Sequence, residues 1–459
     1  MTGRVAVIGG GITGLAAAWE LQRAGRVVTV FESSDAFGGK IRTSPFAGLP
    51  TVDEAADAFL ARVPDAVGLA TELGLGDTLV SPATGTAFVS HGGRLHPIPP
   101  GLVLGVPAGL VGLARSRLLS WPGKARAAFD VVLPRRGVDH DSLGRAIRDR
   151  FGDEVLERLV DPLVGSINAG DADELSLTAA TPQIAAVATS ARSLLLGLRR
   201  TPPSGSGPVF LTPRRGMSAL VDRLVEDLRG GGTELRSSTE VTSLEPDGRG
   251  GHLVNGEPYD AVILAGPAFA TAALLRRTAP VAADLLAGTP YAGVVMVAVA
   301  VPGDELRDVP HGSGYLVPKP EQRHVTAVSL ASRKWAHLQP PDGTEILRIS
   351  LGRHGHESPL DFDDDAVLAA AVGETSRHLG LRRELTPTHV RITRWAQAFP
   401  QYLPHHLDRV DAVERILRDA APTLAIAGAG QRGIGIPACI RQGRAAADAL
   451  GQRLLTSRE

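Results

Sequence analysis

Residues 4–32 read RVAVIGGGITGLAAAWELQRAGRVVTVFE and carry the strongest structural signal in the chain. Residues 4–8 are apolar and rich in β-branched side chains, which is typical of a buried parallel strand. Residues 12–24 have Ala and Leu at helical spacing and end at Gly25, and residues 27–31 are a second apolar run. Strand, turn, helix and strand in this order predict the start of a doubly wound α/β sheet.

The turn between the first strand and the helix has the pattern GxGxxG, and Glu32 follows the second strand. Gly9 permits a tight turn, Gly11 allows the backbone to approach a pyrophosphate, and Gly14 allows the helix to pack on the strand. The helix N-terminus directs free amides at the phosphates, and the Glu32 carboxylate is placed to accept hydrogen bonds from ribose hydroxyls. We therefore predict a dinucleotide site, and the alternative is a glycine-rich turn without a ligand. The site would consist of Gly9, Gly10, Gly11, Ile12, Thr13, Gly14 and Glu32.

Composition excludes several classes of protein. The 459 residues include 48 Lys and Arg and 49 Asp and Glu, so the formal net charge is −1. This balance excludes a globally basic nucleic-acid-binding protein. Hydrophobic residues make up 43% and charged residues 21%, as in globular rather than disordered chains. The single cysteine, Cys439, excludes an intramolecular disulfide and a thiolate metal cluster, and we expect no metal.

A membrane-spanning helix needs about 20 apolar residues, and no stretch of the sequence provides them without interruption. Residues 101–121 come nearest, but Pro107, Arg115 and Arg117 interrupt them. We interpret this segment as a buried or surface-associated helix, with membrane contact as the alternative. The N-terminus lacks the pattern of a secretory signal, and one cysteine fits a reducing compartment. We therefore expect a cytoplasmic protein that is either free of the membrane or peripheral to it.

The remaining hydrophobic patterns predict further elements of the fold. Turn residues at His91, Gly92 and Gly93 indicate a hairpin, and a stretch rich in Pro, Gly and Ser indicates a linker. The predicted elements are a mostly helical segment 54–75, the hairpin 85–98, a helical region 101–200, the linker 201–208, a helix 218–229, a strand segment 233–244, a strand 259–264, strands 291–301 and 344–351 of a different sheet, a last strand 424–428 and a closing helix 437–455.

Glu32 is followed by Gly38, Gly39, Lys40 and Arg42 in the pattern E-x5-GG-x-x-R. This pattern resembles the flavoproteins of the amine oxidase, phytoene desaturase and protoporphyrinogen oxidase group, and the resemblance implies FAD. The two glycines would form a second loop over the pyrophosphate, and the cations would offset its charge. For Arg42 the alternative is a solvated surface charge.

The same resemblance implies further FAD contacts. The backbone of Val241, on a strand, would meet adenine, with a core valine as the alternative for its side chain. The segment after Ala427 and Gly428 would place a second helix N-terminus against the flavin, with a plain loop as the alternative. Trp395 would lie near the flavin or in the core. The residues implied in this way are Ala55, Ala56, Asp57, Ala58, Val241, Trp395, Ile434, Gly435 and Ile436.

Over nearly its whole length the sequence is similar to the bacterial porphyrinogen oxidases of haem biosynthesis. No single motif carries this resemblance; the order and spacing of several do. The matching stretches are DAFLAR at 57–62, GRLHPIP at 93–99, PLV at 162–164, AGD at 169–171, ELS at 174–176, GYLVP at 314–318, PQY at 400–402 with His406, and IPACI at 436–440.

The resemblance implies FAD-dependent oxidation of coproporphyrinogen III to coproporphyrin III, by three hydride transfers to flavin with dioxygen as acceptor. Because aromatisation supplies the driving force, the protein mainly positions macrocycle and flavin, and we expect no obligatory side-chain base. The expected partners are the porphyrinogen and dioxygen, without nucleic acid. Weak association with a membrane or a haem-pathway enzyme is consistent with the resemblance, as is a monomer or a homodimer.

The substrate side of the site is implied by a loop and by one tryptophan. The family has a loop whose backbone lies against the macrocycle, and it maps to Ile167, Asn168 and Gly170. Here the usual Ser-Gly-aliphatic-Tyr of that loop is replaced by residues 165–168, GSIN. Trp335 would sandwich a flat ring. The alternatives are a simple turn at Gly170 and a core tryptophan.

The resemblance also bears on the substrate and on the domains. Ala87 stands where mitochondrial-type protoporphyrinogen oxidases carry a propionate-pairing Arg, and with Pro97-Ile98-Pro99 it favours coproporphyrinogen. The alternatives are a protoporphyrinogen IX oxidase, a flavin amine oxidase or desaturase, and a non-catalytic flavoprotein. We expect an α/β fold with three parts: a discontinuous Rossmann-like FAD-binding domain (1–79, 208–268 and 395–459), an α+β substrate-binding domain (80–99 and 269–394), and a mostly helical domain (100–207).

Overall fold

Five parallel strands form the first sheet of the computed structural model, which describes residues 3–134, 140–200 and 207–456. In spatial order the strands are Glu234–Arg236, Val27–Phe31, Arg4–Ile8, Ala261–Leu264 and Leu424–Ile426. The order runs outward in both directions from Arg4–Ile8, which is the doubly wound arrangement predicted from residues 4–32. Ligands bind in such sheets at the carboxyl ends of the strands, where the order reverses.

Helices cover both faces of this sheet because its strands are apolar on both sides. Val5 and Val7 face one cluster of buried side chains, and Ala6 faces the other. A tight contact fixes two helices on the first face, since a Cβ on Gly443 would lie 2.2 Å from the Thr13 carbonyl oxygen. The first face carries Ile12–Arg23, Pro64–Glu72, Ser218–Gly230 and Ile436–Thr456; the second carries Ala268–Leu275, Pro280–Ala287 and His406–Ala420.

A seven-stranded sheet forms the second layer. All its neighbouring strands are antiparallel except Gly314–Leu316 and Phe88–His91, which are parallel. Its Val-rich face packs against helix Asp364–His378. The strand order is His389–Pro400, Tyr291–Pro302, Thr344–Leu351, Val325–Leu330, Gly314–Leu316, Phe88–His91 and Arg94–Pro97, which confirms the predicted hairpin and the second sheet.

The described residues from 110 to 200 are mostly helical around their own apolar core, as predicted. The first part of the predicted helical region, including the start of the predicted helix 101–121, is instead a short hairpin of Leu102–Val103 and Val106–Pro107, because Leu104 and Gly105 make a turn with φ +49° and +85°. Pro162 lies inside the wide-turned π-helix Leu156–Gly165. A proline there cannot donate its backbone hydrogen bond and disfavours regular α-helical turns. The other helices are Leu110–Arg115, Trp121–Ala128, Leu143–Phe151, Asp153–Val155, Ser166–Asn168, Leu177–Ala180, Pro182–Ser190 and Leu194–Arg200. Most of the predicted linker, residues 201–206, lies outside the described residues.

Short elements complete the chain. The strands Thr43–Phe46 and Leu49–Asp53 form a hairpin, and Phe210–Pro213 pairs with both Phe59–Leu60 and Leu79–Val80. The remaining elements are strands Leu244–Pro246, His252–Val254 and Glu257–Tyr259, helix Ala331–Lys334, and the short 3₁₀ turns Gly76–Thr78, Phe129–Val131, Gly303–Leu306, Lys319–Glu321, Ala336–Leu338 and Ser358–Leu360.

Some predicted boundaries differ from the structure. Only Pro64–Glu72 of the segment 54–75 is α-helical, because its first part forms turns and a short strand instead. The strand predicted at 233–244 ends at Arg236, where its partner strand also ends, so Val241 lies in irregular backbone. Residues 395–400 belong to a strand of the second sheet, and helices 268–275 and 280–287 pack on the first. No helix among the described residues is long and apolar enough to cross a membrane.

Candidate functional site

The predicted dinucleotide residues meet at the carboxyl ends of the first two strands. The Gly9 amide donates to the Phe31 carbonyl oxygen at 2.8 Å. The Gly10 amide donates to Glu32 Oε2 at 2.7 Å, and the Gly38 amide donates to the Gly10 carbonyl oxygen at 2.8 Å. The fold therefore brings the glycine-rich turn, Glu32 and the loop around Gly38 into direct contact.

The glycines of the turn are required for different reasons. Gly9 has φ +109°, and a Cβ on Gly14 would lie 1.9 Å from the Gly9 carbonyl oxygen. A Cβ on Gly11 would meet no protein atom within 4 Å. Helix Ile12–Arg23 has no side-chain cap, so its first amides have no side-chain acceptor. Open space beside uncapped amides at a helix N-terminus fits a pyrophosphate.

The neighbourhood of Glu32 fits the nucleoside end of a dinucleotide. Glu32 Oε1 accepts hydrogen bonds from the Ser34 amide at 2.8 Å and the Ser34 hydroxyl at 2.7 Å, which fix the carboxylate. The Thr239 amide donates to the Glu32 carbonyl oxygen at 2.8 Å. This contact joins the segment containing Val241 to the backbone of Glu32, and Val241 packs, partly buried, against the core of the second face of the sheet.

The two cations that follow Gly39 each lie near an aromatic ring. Desolvation by the surrounding protein lowers the pKa of Lys40, and the nearby Cys439 partly offsets this shift. The Lys40 Nζ lies 5.8 Å from the centre of the Tyr291 ring. The Arg42 guanidinium lies 5.8 Å from the Trp395 ring centre. Trp395 Nε1 is buried and has no hydrogen-bond partner. A buried donor without an acceptor is costly in a protein core. This indole N–H therefore fits a site in which a bound polar ring accepts its hydrogen bond.

The last glycine-rich turn is held by a residue to which sequence analysis assigned no role. The Tyr402 hydroxyl donates to the Ala429 carbonyl oxygen at 2.5 Å and accepts from the Gly433 amide at 2.8 Å. His406 stacks on Tyr402 at 4.1 Å between ring centres. Burial lowers the pKa of His406 to about 4, so the ring is neutral at pH 7 and donates through Nε2 to the Gln431 carbonyl oxygen. Tyr402 lies within a family-matched stretch, but no local pattern indicates these contacts.

This turn presents the three residues that the sequence implied for the flavin. Ile434 and Ile436 are partly buried and Gly435 is exposed. Cys439, in the first turn of helix Ile436–Thr456, is buried beside Lys40 and Thr13, and burial raises the pKa of its thiol. Lys40 of the second loop and the start of the last helix are thus neighbours.

The turn 55–58 has a structural role that the sequence did not indicate. Asp57 accepts from Lys334 Nζ at 2.9 Å and from Trp335 Nε1 at 3.1 Å, and it pairs with Arg348 at 3.2 Å. Burial alone would raise the pKa of Asp57, but these cations and hydrogen bonds hold it well below its usual range. The Ala55 carbonyl oxygen accepts from Arg348, while Ala56 and Ala58 are partly buried.

The predicted role of Trp335 does not agree with this arrangement. Its side chain is 1% exposed and packs with Phe46 and Val52, and its only polar atom is bonded to Asp57. A side chain enclosed in this way presents no face to a flat ring. Trp335 is a core residue, which was the alternative interpretation.

The loop predicted to face the substrate lies beside Trp395. Ala169 packs into a small apolar cluster that includes Trp395, and Ile167 is 53% exposed. The Asn168 side chain is buried and donates to the Val164 carbonyl oxygen at 2.8 Å, so it supports the loop rather than pointing outward. A Cβ on Gly170 would lie 2.4 Å from Gln401 Oε1, so a larger residue here would displace the Gln401 side chain. No group of three potential metal ligands occurs in the described part of the chain.

Comparisons with known proteins agree with this geometry. Residues 12–451 match the family model of flavin containing amine oxidoreductases. The chain is 36% identical to coproporphyrinogen III oxidase from Propionibacterium freudenreichii, over 96% of this chain and 89% of that protein. It is 35% identical to the Bacillus subtilis coproporphyrinogen III oxidase, over 97% of both chains.

A solved structure is also similar over the whole chain. A protein from Exiguobacterium, described provisionally as a protoporphyrinogen oxidase, superposes with a TM-score of 0.86. The two chains are 29% identical, and the match covers 99% of each. The arrangement of both sheets and the helical region is therefore shared with that protein.

Proposed function

The chain belongs to the family of flavin-containing amine oxidoreductases, and we propose that it oxidises coproporphyrinogen III to coproporphyrin III with FAD as cofactor and dioxygen as acceptor. Its similarity to coproporphyrinogen III oxidases over nearly the full length of the chain carries this proposal. The loop 166–170 supports it, because Ala169 packs with Trp395, and Trp395 lies beside Arg42 at the predicted flavin end of the site.

FAD fits the residues present. The turn 9–14 and Glu32 would hold the pyrophosphate and the ribose, and the loop 38–42 with the turn 434–436 would hold the flavin end. When bound, FAD supplies a two-electron acceptor for hydride. Trp395 Nε1, buried and unpaired, would donate a hydrogen bond at the flavin end of the site. Val241 would contribute through its backbone.

The protein's task in this reaction is orientation. Conversion of a porphyrinogen to a porphyrin removes six hydrogens, so with dioxygen it would produce three molecules of hydrogen peroxide per porphyrin. Because the product is aromatic, holding the macrocycle against the cofactor and excluding water supply most of what catalysis requires. We expect the flat macrocycle to contact the exposed Ile167 side chain and Trp395, which packs beside Ala169 of the same loop.

Protoporphyrinogen IX is the second candidate substrate, supported by the similarity to the Exiguobacterium protein. Coproporphyrinogen is favoured because Ala87 replaces the propionate-pairing Arg that mitochondrial-type protoporphyrinogen oxidases carry at this position. The Ala87 carbonyl oxygen accepts from the Ile98 amide at 2.9 Å, which ties position 87 to the segment Pro97-Ile98-Pro99.

Anaerobic mixing of the FAD-bound protein with coproporphyrinogen III is expected to bleach the flavin absorbance as porphyrin absorbance appears. For protoporphyrinogen IX we expect a kcat/KM at least about tenfold lower, because the loss of one favourable contact of about 1.4 kcal/mol gives this discrimination. Protein-free samples correct for spontaneous oxidation, and a simple primary amine serves as the control for amine oxidase activity.

Each outcome of this experiment has a defined meaning. Flavin that stays oxidised with both porphyrinogens would refute the proposed function, and bleaching by the amine would replace it with amine oxidation. On admission of air, peroxide and porphyrin in the ratio three to one would support dioxygen as the acceptor. Rapid reduction without reoxidation in air would require another acceptor.

We also propose that the protein is cytoplasmic and associates peripherally with anionic membranes through residues 110–132. Five large apolar side chains are exposed there, including Trp121 at 79%. Within 101–134 the sequence has four cations, and its one carboxylate, Asp130, is buried. Exposed apolar side chains among cations suit an anionic lipid surface. The exposed apolar residues are Leu110, Val111, Trp121, Phe129 and Val132, and the cations are Arg115, Arg117, Lys124 and Arg126.

Vesicles of equal parts phosphatidylglycerol and phosphatidylcholine are expected to sediment the protein, and Trp121→Ser is expected to weaken this binding about tenfold or more. Removal of a buried indole from a lipid interface accounts for this loss. High salt should also weaken binding by screening the cations. Val281→Ser, at another exposed apolar position, is the control. Equal sedimentation of wild type and Trp121→Ser would contradict the proposal.

A further inference from the structure

A buried ion pair lies behind the loop 166–170. Arg353 follows strand Thr344–Leu351 of the second sheet, and Asp161 lies in the helix that ends at Gly165. Their side chains are 5% and 2% exposed. The two guanidinium nitrogens donate to the two carboxylate oxygens at 3.0 and 2.8 Å, which is the bidentate geometry that fixes both groups. This pair joins the helical region to the second sheet.

The same two groups also hold the chain around Gly170. Arg353 donates to the Gly170 carbonyl oxygen, and Asp161 Oδ1 accepts from the Ala172 amide at 3.1 Å. Arg353 additionally donates to Gln322 Oε1 at 3.0 Å. Because Asp161 neutralises the guanidinium and these partners engage both of its terminal nitrogens, it is not available to bind a substrate carboxylate.

Three successive carbonyl groups of the loop accept hydrogen bonds from outside it. The Asn168 carbonyl oxygen accepts from Gln401 Nε2 at 2.9 Å, and the Ala169 carbonyl oxygen accepts from the His354 amide at 2.8 Å. The Gly170 carbonyl oxygen accepts from Arg353. All three donors follow or end strands of the second sheet, so that sheet sets the position of the loop.

The loop has little freedom to adopt another backbone conformation. Ala169 has φ +44°, a left-handed conformation that costs an alanine about 1 kcal/mol or more and must be held by its surroundings. A Cβ on Gly165 would lie 2.9 Å from the Gly170 carbonyl oxygen and 3.0 Å from Asp161 Oδ1. Within this held backbone, Ile167 directs an exposed side chain outward.

We propose that Arg353 is a positioning residue: through Asp161 and the Gly170 carbonyl it fixes the loop 166–170, so that Ile167 contacts the tetrapyrrole at a set distance from the flavin. Gln401 has the same role at Asn168. This inference rests on the proposed function, because it assumes that the loop faces the porphyrinogen. Arg353 itself contacts no substrate.

Arg353→Lys tests the proposal, because a single ammonium group cannot reproduce the planar guanidinium that donates to the Asp161 carboxylate and the Gly170 carbonyl oxygen at the same time. The FAD-bound variant is expected to bind coproporphyrin III about tenfold more weakly, measured by fluorescence quenching without turnover. Its KM for coproporphyrinogen III should rise by a similar factor, since small displacements of a positioned substrate have effects of this size or larger. The visible spectrum of the bound flavin should not change.

Arg333→Lys is the matched control. Arg333 forms a bidentate pair with Glu345 at 2.6 and 2.7 Å and also donates to the Leu306 and Val309 carbonyl oxygens, so it combines the same kinds of contact. It should lower the melting temperature without altering porphyrin affinity. If Arg353→Lys behaves like this control, Arg353 is only structural and the proposal is overturned.

A second variant covers a failure of Arg353→Lys to fold. Gln401→Met removes the donor to Asn168 and is judged by the same affinity and KM criteria. The wild-type protein separates the two hypotheses: failure to bind coproporphyrin III and to oxidise coproporphyrinogen III would refute the proposed function. Wild-type activity with unchanged affinity in both variants would refute the positioning role alone.

Discussion

Gly11→Ala is expected to give a folded protein with FAD affinity reduced at least about 100-fold. The backbone of Gly11, at φ −72° and ψ 176°, is ordinary for alanine, and the new methyl group would touch no protein atom within 4 Å. The methyl would instead occupy the space through which the pyrophosphate approaches the helix. A clash of about 3 kcal/mol corresponds to about a hundredfold in Kd.

The measurement is a fluorescence titration of the FAD-free protein with FAD, accompanied by thermal unfolding without cofactor. The melting temperature without FAD should match that of the wild type, which separates lost binding from lost folding. Gly230→Ala is the control, because a Cβ there also meets no atom within 4 Å but lies at a remote helix end. Normal FAD affinity in Gly11→Ala would mean that the cofactor does not approach this turn.

Asp57→Asn is expected to destabilise the protein by about 3–5 kcal/mol at pH 7, the usual cost of removing one partner from a buried ion pair. The change leaves Lys334 and Arg348, which are 17% and 5% exposed, without their shared carboxylate. Urea unfolding at constant cofactor concentration measures the loss of unfolding free energy.

The pH dependence of this loss has a defined sign. The pKa of Asp57 is held well below its ordinary value of 3.8 in the folded protein. A carboxyl group with a lowered folded pKa contributes stability at pH values above its unfolded pKa and loses that contribution as pH falls toward its folded pKa. The difference between wild type and Asp57→Asn should therefore be constant near neutral pH and narrow below about pH 4.

Asp284→Asn is the matched control for this variant. Asp284 pairs with Arg276 at 2.7 Å, but the two side chains are 69% and 57% exposed. Exposed pairs contribute little because water screens them, so the control should change stability by less than about 1 kcal/mol. A similar small loss in Asp57→Asn would show that solvent reaches the cluster of Asp57, Lys334 and Arg348.

Local sequence was sufficient for the elements that depend on periodicity and on glycine. The alternation of strand and helix in residues 4–32, the turn at Gly9–Gly14 and the closing helix could all be predicted, because their signals lie within a few neighbouring residues. The order and spacing of short motifs also indicated the family. These features were confirmed by the sheet order and by the comparisons.

Other features needed the tertiary structure. Trp335 has the same local pattern whether it faces a cavity or the core, and its burial depends on Asp57, 278 residues away. The end of the strand at Arg236 depends on where its partner strand ends. Tyr402 acquires its role only because the turn at 429–433 folds back onto it.

For this protein, the sequence by itself determined the doubly wound sheet, the glycine-rich turn and the identity of the family, because backbone preference and hydrophobic period are properties of adjacent residues. The tertiary structure alone decided which polar groups pair. Arg353 and Asp161 are 192 residues apart, and their bidentate contact exists only when the second sheet packs against the helical region. Such contacts have no local signature, since each partner alone reads as an ordinary charged residue.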